Sequence, residues 1–254
     1  MKQKQNLYPT DNLGVLETSI ANRTPMYHNL KRSDWKTSEA HYHESDDGER
    51  VLKINDLEIM GEFQAPYMRV LAQSILVRDG IMLNIGFGLG LADSVIQEYG
   101  DGIKEHHIVE INEDVFSQAE AWKSDQPHQN KIVLHQGDWK DVMPDLNSEG
   151  RLFDGILYDG YPLEVQELCR DSVDFIGFTL GNRMLTEHKG KMAFYLDATE
   201  GMGQAFKGYL FELGVTKISE QRVPVQLPNR KLNHWFTSHF IAPLLEDVRY
   251  GERD

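Results

Sequence analysis

The sequence predicts an α/β fold of the doubly wound, Rossmann-like class: a mostly parallel seven-stranded sheet with helices on both faces and an N-terminal lid segment. Three observations carry this. Short apolar runs that suit buried strands alternate with helical patterns between residues 80 and 214. Such alternation implies βαβ units with right-handed crossovers. The first run turns into its helix through a glycine-rich segment, NIGFGLGL at 84–91. The later runs end in carboxylates, where open α/β sheets bind ligands.

Residues 1–56 are polar and aperiodic, and are read as an N-terminal arm or lid. Tyr27, Trp35 and Tyr42 are large groups that a disordered tail tends to lack, so the Trp35–Tyr42 stretch is expected to fold over something. Residues 57–254 form the main domain. Residues 58–76 read as an amphipathic helix interrupted or begun near Pro66, because proline is tolerated in a first turn. GIMLNIGF is the first buried strand, GLGLADSVIQEYG a helix and HHIVEIN the second strand. EDVFSQAEAWKSD is a helix whose first turn carries Glu113 and Asp114, the sign favoured there. KIVLHQG is the third strand and, after a connecting segment, FDGILYDGYP the fourth. VDFIGFTLGNRML, KMAFYLD and GMGQAFKGYLFELG read as helix, strand and helix. VTKISEQRVPV and HWFTSHFIAPLL are two strand-like runs that can pair.

Composition narrows the partners. The 254 residues hold 26 Lys and Arg against 40 Asp and Glu, a formal charge of -14. Such a surface repels phosphate backbones, so no nucleic acid is expected, and a cationic or neutral small substrate fits better. The single cysteine, Cys169, rules out a disulfide within the chain and suits a reducing compartment. With no apolar leader and no run of membrane-spanning length, the expectation is a cytoplasmic protein without a membrane partner. No metal-ligand spacing stands out among the ten histidines. An exposed tail strand leaves a homodimer open.

Four places carry chemistry. Gly86, Gly88 and Gly90, with Phe87 between them, let the backbone approach a ligand at a helix N-terminus. A turn of this kind also occurs with no ligand. Leu91 stands where the dinucleotide pattern needs glycine, and the Lys and Ser/Thr of a phosphate loop are missing. That leaves S-adenosyl-L-methionine as the natural ligand class. Glu110, followed by Ile111, ends the second strand and can accept from both ribose hydroxyls. Asp138 and Trp139 can take the adenine amino group and cover the ring, or Asp138 can simply cap a helix. Asp159 ends the fourth strand, where a carboxylate can bind a polar nitrogen and take its proton; its plainer reading is a turn residue.

The segments EIMGEFQAPYMR (58–69), IGFGLG (85–90), EHHIVEIN (105–112), GDWKDV (137–142), FDGILYDGYPL (153–163) and FTSHFIAPL (236–244) resemble the guanidinoacetate N-methyltransferase family and its arginine N-methyltransferase relatives. SDWK (33–36), with Ala40 and Tyr42, resembles that family's N-terminal lid. The resemblance covers about residues 33 to 245. It implies the class I methyltransferase fold and N-methyl transfer to a guanidino-type nitrogen. It places Trp35, Met60 and Met68 over the donor, and Asp159 as the group that binds and deprotonates the acceptor. Tyr67 and Tyr161, in the family-specific PYM and YDGYP segments, join the acceptor site.

Two departures stand out. Gln64 occupies the place of the family's second clamp carboxylate, with Phe63 in place of tryptophan, and Asn84 replaces the first-strand acid. A paired carboxylate matches a delocalised cation, whereas Gln offers one neutral acceptor and two donors. Glu62, two residues earlier, shares a face with Gln64 in a strand but not in a helix, so it restores the charge only in the first case. The change at Gln64 opens a second reading, methylation of an amide, amine or hydroxyl of a peptide or natural-product intermediate. Loss of both acids also opens a third, a non-catalytic binding protein on this scaffold, against which stand Glu110, Asp138 and Asp159.

Overall fold

A computed structural model describes residues 32–55, 57–161, 163, 170–196, 201–230, 232 and 237–251. Tyr27, Pro162 and Cys169 lie outside them. The described residues begin with a short helix α1 (Arg32–Thr37) and a three-stranded antiparallel sheet, β1 (Ala40–Glu44), β2 (Arg50–Ile54) and β3 (Leu57–Gly61), in the order β1-β2-β3. A 3₁₀ turn at Glu62–Gln64 leads into α2 (Ala65–Ser74), with Pro66 in its first turn. Then follow β4 (Gly80–Ile85), α3 (Leu91–Glu98), β5 (Ile103–Glu110), α4 (Glu113–Ser124), β6 (Ile132–Gln136), α5 (Trp139–Ser148) and β7 (Gly155–Tyr158). The chain continues through α6 (Asp171–Gly181), β8 (Lys191–Phe194), α7 (Gln204–Glu212), β9 (Val215–Pro224) and β10 (His239–Val248).

The large sheet has the order β6-β5-β4-β7-β8-β10-β9. Its first five strands pair in parallel, and β10 runs antiparallel to both β8 and β9. The expected seven-stranded, mostly parallel sheet is therefore present, and the two tail runs do pair. One apolar cluster joins α2, α3, α4 and the small sheet; the other joins α5, α6 and α7. Helices thus cover both faces. None among the described residues is long and apolar enough to cross a membrane.

Three local expectations change. Residues 58–61 are strand, not helix: β3 bonds to β2, and the helix starts only at Ala65. The polar stretch 40–54 forms two strands, whose first shows no apolar face because it lies exposed at a sheet edge. The connecting segment after the third strand holds α5, capped by Asp138, with Pro144 inside it. The small sheet is tied to the other end of the chain by Arg230. Its guanidinium donates to Asp47 at 3.0 Å, Glu49 at 2.8 Å and Glu58 at 2.9 Å, and sits over the Phe63 ring.

A histidine pair in the main sheet gives a pH test. His107 Nδ1 and His135 Nε2 are 2.9 Å apart, and His107 Nε2 meets Glu105 at 2.8 Å. Burial pulls both imidazoles down, His135 to about 4 with His107 beside it. The unfolded chain binds these protons near the ordinary value of about 6.5. This stability is therefore complete above about pH 6.5 and drains away as pH falls toward about 4. Denaturant midpoints across that range should fall, and His135→Gln should flatten the fall.

Candidate active site

The site forms where the chain reverses its direction of travel across the sheet. From β4 the strands run one way through β5 and β6, then resume on the other side at β7. The ends of β4 and β7 therefore lie side by side, at the switch point where α/β folds bind ligands. Asp159 N donates to Ile85 O at 2.9 Å, which locks the end of β7 beside the glycine turn. Gly86 has φ +89°, and a Cβ there would lie 2.6 Å from the Asp159 carbonyl oxygen. Only glycine meets both demands. Gly88 has φ +57° and lies under Met60, whose sulfur is 3.4 Å from Leu89 N. Gly90, in the left-handed conformation, starts α3, and the Phe87 ring packs against it and against Trp122.

Glu110 faces this turn from the end of β5. Its Oε2 accepts from Phe87 N at 2.9 Å and its Oε1 from Asn112 N at 2.8 Å. The backbone N–H groups of Ile111 and Gly88 also act on this carboxylate. Burial pushes this carboxyl up, against the pull of the backbone N–H groups around it. Ile111 packs at the margin of the first core. Gly137 N donates to Glu110 O at 2.9 Å, which carries Asp138 to the neighbouring strand end. Asp138 Oδ1 caps α5 through Lys140 N at 3.0 Å, as its plainer reading requires. Trp139 is 8% exposed, edge-on to Phe175, and its indole N–H donates to Asp171.

Asp159, Gln64 and Tyr67 hold the places that the resemblance gives to the acceptor. Among the described residues, the Asp159 carboxylate makes no hydrogen bond. Burial, with Asp93 and Glu110 nearby, holds it well above the usual carboxylate range. Three carboxylates thus converge here, a field that favours a sulfonium or a protonated nitrogen. Gln64 is buried, and its Oε1 accepts from Gly61 N at 3.0 Å. Tyr67, one helical turn on, is already engaged: its hydroxyl donates to Ile241 O at 2.9 Å and accepts from Leu196 N at 3.1 Å. Its ring packs with Tyr195 and Phe240. Met68 is wholly buried in the core of α2. Glu62 is not brought in beside Gln64. Its carboxylate binds the Arg50 guanidinium at 3.0 Å, and the 3₁₀ turn separates the faces of residues 62 and 64.

The N-terminal segment lies across the front of the site. Trp35 is buried, its indole N–H donates to Leu163 O at 2.8 Å, and its ring is 5.5 Å from that of Tyr161. The Tyr42 hydroxyl reaches Gly88 O at 3.3 Å. Sequence reasoning placed Tyr42 in the lid but missed this contact with the turn itself. It also missed Asp93. Asn84 Nδ2 lies 3.0 Å from both Asp93 oxygens and 2.8 Å from Gly86 O, so a wholly buried carboxylate from α3 stands behind the neutral first-strand residue. His106 Nε2 is 3.1 Å from the same carboxylate.

The guanidinoacetate N-methyltransferase profile matches residues 28–209. The chain belongs to that family. By that description the family is one of N-methyltransferases, and the methyl donor such a family implies is S-adenosylmethionine. A glycine turn with no room for a Cβ, the buried Glu110 carboxylate at the end of the next strand and an acidic field fit that donor. Protein arginine N-methyltransferase 2 of Aspergillus oryzae is 31% identical over 156 residues, covering 61% of this chain and 34% of that protein. The Candida glabrata protein of the same name is 31% identical over 151 residues, covering 57% and 34%. This chain spans about a third of the length of these curated relatives. In fold it is similar to a chain described as a SAM-dependent methyltransferase from Streptococcus mutans, with TM-score 0.54 and 15% identity over 82% of this chain and 55% of that one. A second structure, a methyltransferase by its description and solved with SAH, gives 0.53 and 12% over 80% and 57%.

Proposed function

We propose that this family member methylates a guanidino-type or related small-molecule nitrogen, with Asp159 orienting the acceptor and taking its proton. The observation that carries this is the Asp159 carboxylate itself, free of hydrogen bonds among the described residues and fixed beside the glycine turn. Glu110, Asp138 and the turn hold the donor, with Met60, Tyr42 and Trp35 closing above it. S-adenosylmethionine, when bound, supplies an electrophilic methyl group on sulfur. Asp159 would take the proton that the acceptor nitrogen gives up on methylation. A carboxylate raised toward neutrality suits that role. The rest of the rate comes from positioning in a site closed to water.

Calorimetric titration with S-adenosylhomocysteine should show clear binding to the wild-type chain and none to a Glu110→Ala, Asp138→Ala double variant. A screen of arginine, guanidinoacetate, their homologues and arginine-containing peptides then identifies the acceptor. One observation favours a second reading. The clamp position holds neutral Gln64, and the nearby Glu62 is neutralised by Arg50. That suits an amide, amine or hydroxyl of a peptide or natural-product intermediate, and a screen in which no guanidine is methylated would select it.

A further inference from the structure

Asn112 makes more hydrogen bonds than a helix cap needs. It is 1% exposed and lies between Glu110 and α4. Its Oδ1 accepts from Asp114 N at 3.1 Å and Val115 N at 3.0 Å, which caps α4. Its Nδ2 donates both protons across the molecule, to Trp35 O at 2.7 Å and Ser38 O at 2.8 Å. Its own backbone N–H goes to Glu110 Oε1. One residue thus joins the ribose-facing carboxylate, through its main chain, to the end of α1, through its side chain. Beside it, Asp114 Oδ2 takes Ala40 N at 2.9 Å. Trp35 passes the connection on to Leu163 O, four residues beyond Asp159.

We propose that Asn112 is the positioning residue that couples closure of the N-terminal segment to occupancy of the donor site. The inference rests on the donor reading of Glu110. A ribose drawing on Glu110 fixes the carboxylate that orients residue 112. Residue 112 in turn holds the two carbonyls at the end of α1, and with them Trp35 and the strand that carries Tyr42. A cap alone would use only Oδ1; the two buried amide donors have no part in capping.

The test separates those roles. Asn112→Asp keeps the capping oxygen and loses both amide donors, and Asn112→Ser does the same without adding charge. Calorimetry with S-adenosylhomocysteine is paired with hydrogen exchange of residues 35–44 and with thermal melting. Wild-type exchange in that segment should slow when S-adenosylhomocysteine binds. Both variants should melt below the wild type, Asn112→Asp the more so for its added charge, yet remain folded; they should bind it roughly tenfold more weakly for two lost buried hydrogen bonds, and show no slowing. Variants with wild-type affinity and wild-type slowing would overturn the coupling while leaving the donor reading intact. A wild-type chain that does not bind S-adenosylhomocysteine would overturn both.

Discussion

Asp159→Asn should lower turnover by roughly 10²–10⁴-fold, the usual range for a lost general base, while S-adenosylhomocysteine binds as before. The argument is geometric. Asp159 is set in place by its backbone, through the bond from its N–H to Ile85 O and the contact of its carbonyl with Gly86. Its side chain makes no hydrogen bond among the described residues, so the amide inherits the same position without the proton-accepting charge. The substitution also removes a carboxylate held near Asp93 and Glu110, so melting temperature should hold or rise. Single-turnover rates, calorimetry and melting curves on one preparation check all three. Full activity in the variant would remove Asp159 from the chemistry.

Gly86→Ala should be the most damaging single change to the donor site. It meets two obstacles: a left-handed backbone at φ +89° and a carbonyl oxygen 2.6 Å from the new Cβ. Strain at such a position costs about 1–3 kcal/mol, and each kcal/mol lowers Tm by roughly 2–4 °C in a domain of this size. A drop of roughly 2–12 °C is expected, together with loss of S-adenosylhomocysteine binding, because relief requires β4 and β7 to separate at their ends. Gly102→Ala is the control: nothing lies within 4 Å of the added Cβ. A Gly86→Ala chain that melts and binds like the wild type would mean that the turn yields at little cost.

What could be read from the sequence was what is local. The glycine turn, the strand-ending Glu110 and the capping Asp138 are defined by neighbours within a few positions, and all three stand at the carboxyl ends of adjacent strands. The small sheet could not be read that way. Its first strand, AHYHE, buries no face, and its third, LEIMG, runs almost directly into a helix and shares that helix's apolar look. Glu62 turned on local geometry: spacing by two brings side chains together in a strand, but these residues form a 3₁₀ turn. Asp93 and Asn112 stand at helix starts, where acidic and amide residues are common and draw no notice. Their other partners, Asn84 and the Trp35 and Ser38 carbonyls, lie 9 to 77 positions away, and only the fold brings them together.

The Arg230 clasp sets an order of events in the birth of the protein. It joins the small sheet to residues 172 to 183 positions later in the chain. The parallel strands β4 to β7 and the turn between them are complete well before Arg230 leaves the ribosome. The cradle for the methyl donor can therefore assemble early, whereas the wall built on β1–β3 waits for its last anchor. Contacts this distant in sequence must wait for the later residue and close a longer loop than local ones. A nascent chain would hold an open cradle before it held a closed one.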